Sequence, residues 1–578
     1  MKFKKTVFLV LTLFFVSNVF SQEILKSSEE EYYDFLSLYG EVKKPSMNYR
    51  TLSDSVWLEA DEITDENKTP WGNRNLKTEF VLFDFNSENT SFFLRGLNRT
   101  FSVRIYNPEN FSSYNSAAPF GQNDGGLWQG KGFNTAFSTG LRLEGFGFEL
   151  TVRPQLSFSQ NQAFEYLIDG YKADSYAGKA SDYGYVWGAC DAPQRFGDKA
   201  FWNYDWGDTE IRWSWYSFTV GFGTQSIWLG PAFENPLLHS NHAATYPKFD
   251  IGLRKTQITI PKLNWYIGDI EGRIWAGRLS ESDYYDNNDT NNYNQITGFT
   301  FSYSPSFVNG LTFGINKVCI CKWTNPERLY YLNPFFNTNT LTSENDLGED
   351  QKASLTAQWL FEKVQLDIYA EIGFDDFLSA GFKFYEYARF PFHTITYTTG
   401  LKKAFTHSEE KDIGGLLAFE WNYTEASQDY QMWPNSGYNF GFHYQVKQGY
   451  TNKGQWLGSG IGYGGNSQYL SYTLFDKFGW QKFFIGRNNP DNNYIWAKCV
   501  EGSTSTNSKR YYTAFKANFY TGLEAETVII EHFKILSGFT YNLIINPMYN
   551  PGKSANGAYR EYTYMNNFNF KLGLRYQI

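Results

Sequence analysis

From about residue 78 onward, apolar and polar residues alternate with a period of two. Phe146, Phe148, Leu150 and Val152 alternate with Gly147, Glu149, Thr151 and Arg153. The run before them, Phe137 to Leu143, alternates as well, and Glu144-Gly145 reads as the hairpin turn between the two. Ala353, Leu355, Ala357 and Trp359 alternate with polar residues. So do Val364, Leu366, Ile368, Ala370 and Ile372, after a tight turn at Phe361 to Lys363. The last segment is the cleanest: Phe568, Phe570, Leu572, Leu574, Tyr576 and Ile578 alternate with Asn569, Lys571, Gly573, Arg575 and Gln577. Successive strand residues point to opposite faces, so each run predicts a strand with one apolar and one polar side. If the apolar side meets lipid, Lys571 and Arg575 must face a lumen.

The period is different near the start. Residues 27–40, SSEEEYYDFLSLYG, predict a helix. Ser28 with Glu31 reads as a capping box, three acids sit at the positive end, and Gly40 closes it. Tyr32, Phe35, Leu36 and Tyr39 follow i, i+3, i+4, i+7 and form one apolar stripe. So short a helix must dock on something to be stable. A second helical piece is predicted from Thr51 to Ala60. Before these, residues 1–21 read as a cleaved secretory signal, with Lys2, Lys4 and Lys5 ahead of an apolar core from Thr6 to Val16.

Composition narrows the class. No run of 18 apolar residues follows the signal, so helical membrane spans are not predicted. Aromatic residues make up 20% of the chain, yet mean hydropathy is only -0.48. Strands with one lipid face and one watery face, ringed by aromatic girdles, reconcile those two facts. Net charge is -9, so nucleic acid is not a natural partner. About 500 barrel residues divide into roughly 16–18 strands of about ten residues each. The prediction is an all-β outer-membrane antiparallel β-barrel spanning residues 78–578, preceded by a short helical segment over residues 22–77. Long polar links at residues 286–294, 337–350 and 501–509 read as extracellular loops.

One stretch breaks the alternation in an informative way. Residues 225–249 read QSIWLGPAFENPLLHSNHAATYPKF. Gly230-Pro231 and Pro236 forbid continuous helix or central strand, so this is an ordered loop. It holds Trp228, Glu234, His239, Asn241 and His242. Flat rings plus amide and carboxylate groups suit a sugar, which offers an apolar face and hydroxyls. An ordinary barrel loop whose aromatics fill space is the alternative reading of the same residues. Three further stretches share the character: NSAAPFGQNDGGLWQGKG at 115–132, GRLSESDYY at 277–285 and GYTNKGQWLGSGIGYGGNSQ at 449–468.

These four blocks, in this order, resemble the Wzi-like capsule-assembly family of outer-membrane barrels, whose central signature reads W-x-G-P, then L-L-x-S-N, then a proline. The chain departs from that pattern at Leu229, where an aromatic is common, and at Ala243-Ala244. The resemblance implies a surface lectin that binds and retains, or helps assemble, capsular or other surface polysaccharide. It also implies that the N-terminal helices are periplasmic and pack against the inner mouth of the barrel. The candidate polysaccharide-binding residues are Asn123, Asp124, Trp128, Trp228, Glu234, His239, Asn241, His242, Asn452, Lys453, Gln455 and Trp456. Polysaccharide and outer-membrane lipid are the expected partners of a monomeric barrel. The competing reading is a saccharide-specific, porin-like channel, and we expect some of the motif stretches to fold inward and occlude the pore.

Other chemistry leaves little trace. His239-Ser240 are adjacent, which points the two side chains apart rather than pairing them, so no catalytic residue is expected. No Cys/His spacing reads as a zinc site, and no phosphate-binding glycine loop follows a strand, so neither metal nor cofactor is expected. Cys319 and Cys321 face one side of a strand and do not bond each other. For Cys190 and Cys499 a loop-to-loop bridge and free thiols are both open.

Overall fold

A computed structural model describes residues 26–59, 68–69, 72–73, 80–85, 91–167, 190–286, 288–325, 328–333, 348–375, 390–392, 394–408, 413–427, 440–443, 445–476, 478–500, 513–530, 533–552, 558 and 561–576. The predicted signal lies outside these residues, as do residues 337–347 and 501–509.

Among the described residues, eighteen strands form one closed antiparallel sheet, to which the short segment Phe80–Asp84 adds by pairing with the start of the first. They are β1 (Thr100–Asn115), β2 (Gly132–Gly145), β3 (Phe148–Val152 with Gln155–Ser159), β4 (Phe201–Asp205 with Glu210–Trp215), β5 (Phe218–Gly223) and β6 (Lys248–Ile260). Then come β7 (Trp265–Ser280), β8 (Tyr293–Pro305), β9 (Leu311–Lys322), β10 (Glu349–Phe361), β11 (Leu366–Asp375) and β12 (Ile395–Ser408). The last six are β13 (Ile413–Tyr423), β14 (Asn466–Asp476), β15 (Gly479–Asn489), β16 (Ala517–Ile530), β17 (Phe533–Ile545) and β18 (Tyr564–Tyr576). The ring closes where β18 pairs β1, from Asn569 opposite Asn115 to Arg575 opposite Glu109. Pro154 interrupts β3, since it cannot donate to a ladder.

The alternation is realised as expected. On β18, Phe570 and Leu572 are each 50% exposed, whereas Asn567 and Asn569 are fully buried. Lys571 pairs with Glu524 at 2.7 Å, and Arg575 pairs with Glu29 and Glu109, all on the lumen side. The β2–β3 turn falls later than the sequence suggests. Gly145 pairs Phe148, so Phe146-Gly147 is the two-residue turn, with φ of 52° and 77°. A two-residue turn positive at both positions matches the twist of the strands. Gly147 is required, because a Cβ there would lie 2.5 Å from the Ser214 carbonyl oxygen.

The two ends of the barrel differ. Links such as 146–147, 216–217, 261–264, 306–310 and 477–478 are short and share one end. Links such as 116–131, 224–247, 424–465 and 490–516 are long and share the other. At the short-turn end, helix α1 (Ser28–Ser37) lies inside the lumen. Tyr32, Phe35 and Leu36 of its predicted stripe are buried, with the Phe35 ring 4.9 Å from that of Phe475. Its acids meet wall cations: Glu29 with Lys534 and Arg575, Glu31 with Lys482, Asp34 with Lys402. The cap is one residue earlier than read from sequence. The Ser27 hydroxyl accepts from the Glu30 N–H at 3.2 Å, and Glu31 is drawn away to Lys482. Residues 51–59 are not helical. Thr51 to Asp54 make a turn and Leu58–Glu59 pairs Val42–Lys43. The Asp54 carboxylate there is claimed by Arg254 and Arg273 of the wall, which overrides local helix propensity. All four cysteines are free and buried, so no Cys190–Cys499 bridge forms. Cys319 and Cys321 lie together beside Tyr331.

Candidate functional site

The long β5–β6 link, residues 224–247, turns into the lumen rather than out from the rim. Backbone N–H groups of Phe233, Glu234 and Asn235 donate to the Glu420 carboxylate on β13 at 2.7, 3.0 and 2.7 Å. Leu237 N–H donates to Glu371 on β11 at 2.9 Å, and Thr245 N–H to Asp205 on β4 at 2.8 Å. Wall carboxylates thus replace the sheet partners that a proline-broken segment lacks. The other motif loops are tied to this one. Gly125 N–H donates to the Asn241 carbonyl at 2.8 Å, and Asn123 Nδ2 to the Glu234 carbonyl at 3.1 Å. Ser240 N–H donates to the Leu457 carbonyl at 2.8 Å, and Asn452 Nδ2 to the Ala244 carbonyl at 2.8 Å. The 277–285 block is a brace: Lys453 N–H donates to the Ser280 carbonyl, and Tyr285 Oη to the Lys447 carbonyl.

Together these loops enclose a cavity of about 220 Å³. Five of the twelve predicted residues line it: Asp124, Trp128, His242, Gln455 and Trp456. Trp128 packs on Phe196 with centroids 4.7 Å apart, and Trp456 meets Tyr463 edge-on at 5.2 Å. Asp124 accepts from Gln129 Nε2, and burial holds its carboxyl up to about 6. His242 Nδ1 accepts the Asn123 N–H at 3.2 Å, and burial pulls its imidazole down to about 4. A second chamber of about 300 Å³ lies between these loops and α1, and Asn123, Asn241 and Asp124 line it. Asp124 and Leu127 line both spaces.

The other predicted residues line neither space. His239 is 1% exposed and bonds the Tyr246 hydroxyl at 2.8 Å, with burial holding it near 3. The Ser240 hydroxyl donates to the Gly458 carbonyl, so His239 and Ser240 do not pair. Trp228 is buried under Lys26 and Arg50, and its indole N–H donates to Ala232. Glu234 pairs with Lys26 at 3.3 Å. Asn452 is fully buried, and Lys453 turns the chain with φ of 48°. These five hold loop structure. Sequence reasoning missed Phe120, Gln129 and Ile461, which line the cavity within motifs already singled out. Ala192-Pro193, delivered by the long β3–β4 link, also line it, and their local sequence carries no signal of that position.

A closed antiparallel barrel with lipid-facing alternation, and a lumen filled by its own helix and loops, defines a protein of the outer-membrane barrel class. Residues 108–475 match the family described as capsule assembly protein Wzi, and the chain belongs to that family. The fold is similar to that of Escherichia coli Wzi, described as a carbohydrate-binding β-barrel outer-membrane protein involved in group 1 capsule assembly. That match has a TM-score of 0.50 and 11% identity over 82% of this chain and 85% of that one. Pseudomonas putida OprB matches with a TM-score of 0.35 and 9% identity, over 82% of this chain and 93% of its own. A mutant Rh. blastica porin gives 0.30 and 9%, over 82% and 100%. No curated protein matches the chain by sequence.

Proposed function

We propose that this protein is an outer-membrane surface lectin that retains, or helps assemble, capsular or other surface polysaccharide, without turning it over. One observation carries the reading. Three loops far apart in sequence, each resembling a block of the family, converge on one cavity that holds two tryptophans, a carboxylate, amides and a histidine. In this reading the long-loop end faces the exterior, and residues 22–77 sit at the periplasmic mouth, as short turns and long loops divide in such barrels. The carbohydrate binding described for Escherichia coli Wzi supports the same assignment.

The energetics fit retention of a polymer. A stacked ring contributes about 0.5–1.5 kcal/mol beyond its buried area, and each neutral hydrogen bond about 0.5–1.5 kcal/mol net. One cavity with a few such contacts binds at roughly millimolar Kd. A repeating chain that engages many barrels on one cell gains avidity through effective concentration. The test is a Trp128→Ala or Trp456→Ala strain. Heat-modifiable gel mobility reports that the barrel is folded, and polymer is assayed in cell-bound and supernatant fractions. Normal synthesis with more polymer shed into the medium is the expected result. Unchanged cell-bound polymer in a full deletion strain removes the reading.

A further inference from the structure

The polar groups around the outer cavity are unequal in kind. Gln129 Nε2 is spent on the Asp124 carboxylate, and Gln455 Nε2 on the His242 carbonyl at 3.2 Å. Both amide orientations are forced, because a carboxylate and a backbone carbonyl only accept. Each glutamine is left with its carbonyl oxygen. Gln129 Oε1 is buried and takes no hydrogen bond from the described residues. Asp124 is bonded by a single side-chain donor among them, that same Gln129 amide. His242 accepts the Asn123 N–H through Nδ1, so its own proton sits on Nε2. The lining therefore offers the Gln129 and Gln455 carbonyl oxygens and the Asp124 carboxylate as acceptors, and His242 Nε2–H and the buried Trp128 indole N–H as donors, so its one ionisable oxygen group is an anion. The described lining holds no lysine or arginine. Lys453, next in sequence to the lining residue Gly454, is not part of it.

We propose that this cavity takes a donor-rich sugar residue, neutral or amino-bearing, and rejects residues that carry a carboxylate, sulfate or phosphate. The proposal rests on the polysaccharide-binding reading above. Hydroxyl and ammonium groups give the stranded oxygens the protons they lack. An anionic substituent brings a like charge beside Asp124, and the cation that acts on Asp124, Lys571, lies in the inner chamber and is paired with Glu524, while Glu524 and Glu234 add negative charge on that side. Burial holds the Asp124 carboxyl up to about 6, so the carboxylate that attracts an ammonium is present at neutral pH and lost below that value.

The experiment uses the full-length protein in detergent micelles, titrated calorimetrically with three oligosaccharides of equal length. One is a neutral hexose oligomer, one carries free amines and one is a uronic-acid oligomer. We expect the first two to bind at least about tenfold more tightly than the third. The amine-bearing oligomer should also bind more weakly at pH 5 than at pH 7.5, a difference absent in Asp124→Asn. Gln455→Lys, checked for folding by heat-modifiable mobility, should narrow the gap against the uronic oligomer. Equal or tighter binding of the uronic oligomer by the native protein overturns the selectivity while leaving the lectin reading intact. Persistence of the amine's pH dependence in Asp124→Asn overturns the role given to that carboxylate. If a folded protein binds none of the three, the lectin reading itself falls, and the selectivity with it.

Discussion

Replacing Glu420 should release the loop that fills the lumen. Its carboxylate is 1% exposed and accepts from three successive backbone N–H groups, from Asn235 Nδ2 at 3.2 Å and from the Tyr369 hydroxyl at 2.8 Å. Glu420→Ala leaves the N–H groups of Glu234 and Asn235 without their acceptor, while Phe233 N–H keeps the Tyr369 hydroxyl at 3.3 Å. A buried donor left unmade costs about 1–3 kcal/mol, so holding the loop in place with two such donors would cost about 2–6 kcal/mol. The strand itself keeps its ladder partners, Gly400 on β12 and Tyr469 on β14. The cheaper outcome is a loop that leaves the wall while the barrel stays closed. In planar bilayers Glu420→Ala should therefore show open-channel conductance that the native protein lacks, with unchanged heat-modifiable mobility. Glu420→Gln keeps one carbonyl oxygen toward the same N–H groups and should fall between. Native-like low conductance in Glu420→Ala, together with an unchanged thermal transition, would refute the anchoring argument. A large steady conductance in the native protein would refute the occluded lumen and favour the channel reading.

Leu572→Arg should impair barrel assembly by about 2–4 kcal/mol at midplane depth, since Leu572 is half exposed on the lipid side; Lys571→Gln should be mild. Cysteines introduced at 571 and 572 should label very unequally with a lipid-soluble probe, and equal labelling would mean the register is wrong. Glu29→Ala removes the carboxylate shared by buried Lys534 and Arg575, leaving Arg575 with Glu109. It should destabilise the α1 docking by about 3–5 kcal/mol, read as a lower unfolding temperature on heated gels. Asp124 titrates higher in the fold, near 6, than its ordinary 3.8. The folded state therefore binds that proton more tightly, and this group's contribution to stability falls as pH rises from about 4 to 6. Asp124→Asn should accordingly raise the melting temperature relative to the native protein at pH 7.5, with the difference shrinking toward zero by pH 4. A difference independent of pH would show that the carboxyl is not held up by its surroundings.

The strand content of this protein is written locally. A period of two follows from backbone geometry, so Phe568 to Tyr576 announces its lipid and lumen faces without knowledge of any partner strand. The lumen position of Lys571 and Arg575 follows in the same way, because hydrocarbon offers a charge no partner. Turn placement is less local. The turn lies at Phe146-Gly147, two residues past the Glu144-Gly145 that local sequence suggests, because it depends on register with the opposing strand and on the close approach of Gly147 to Ser214.

The site is a different matter. The motif loops are visible as aromatic and glycine-rich breaks in the alternation, but their residue types do not say which side chains line the cavity and which brace. His239 and His242 are three residues apart in one loop. One is sealed among Tyr246, Tyr450 and Trp275, while the other lines the cavity. What separates them is the path of a chain held by Glu371, Glu420 and Asp205, carboxylates on strands distant in sequence. The helix cap moved by one residue for the same reason, since Lys482 claimed Glu31. Short-range periodicity thus determined the barrel wall. Its contents were decided by long-range pairing of lumen charges with loop backbone, because a buried polar group must find its partner wherever the closed wall presents one.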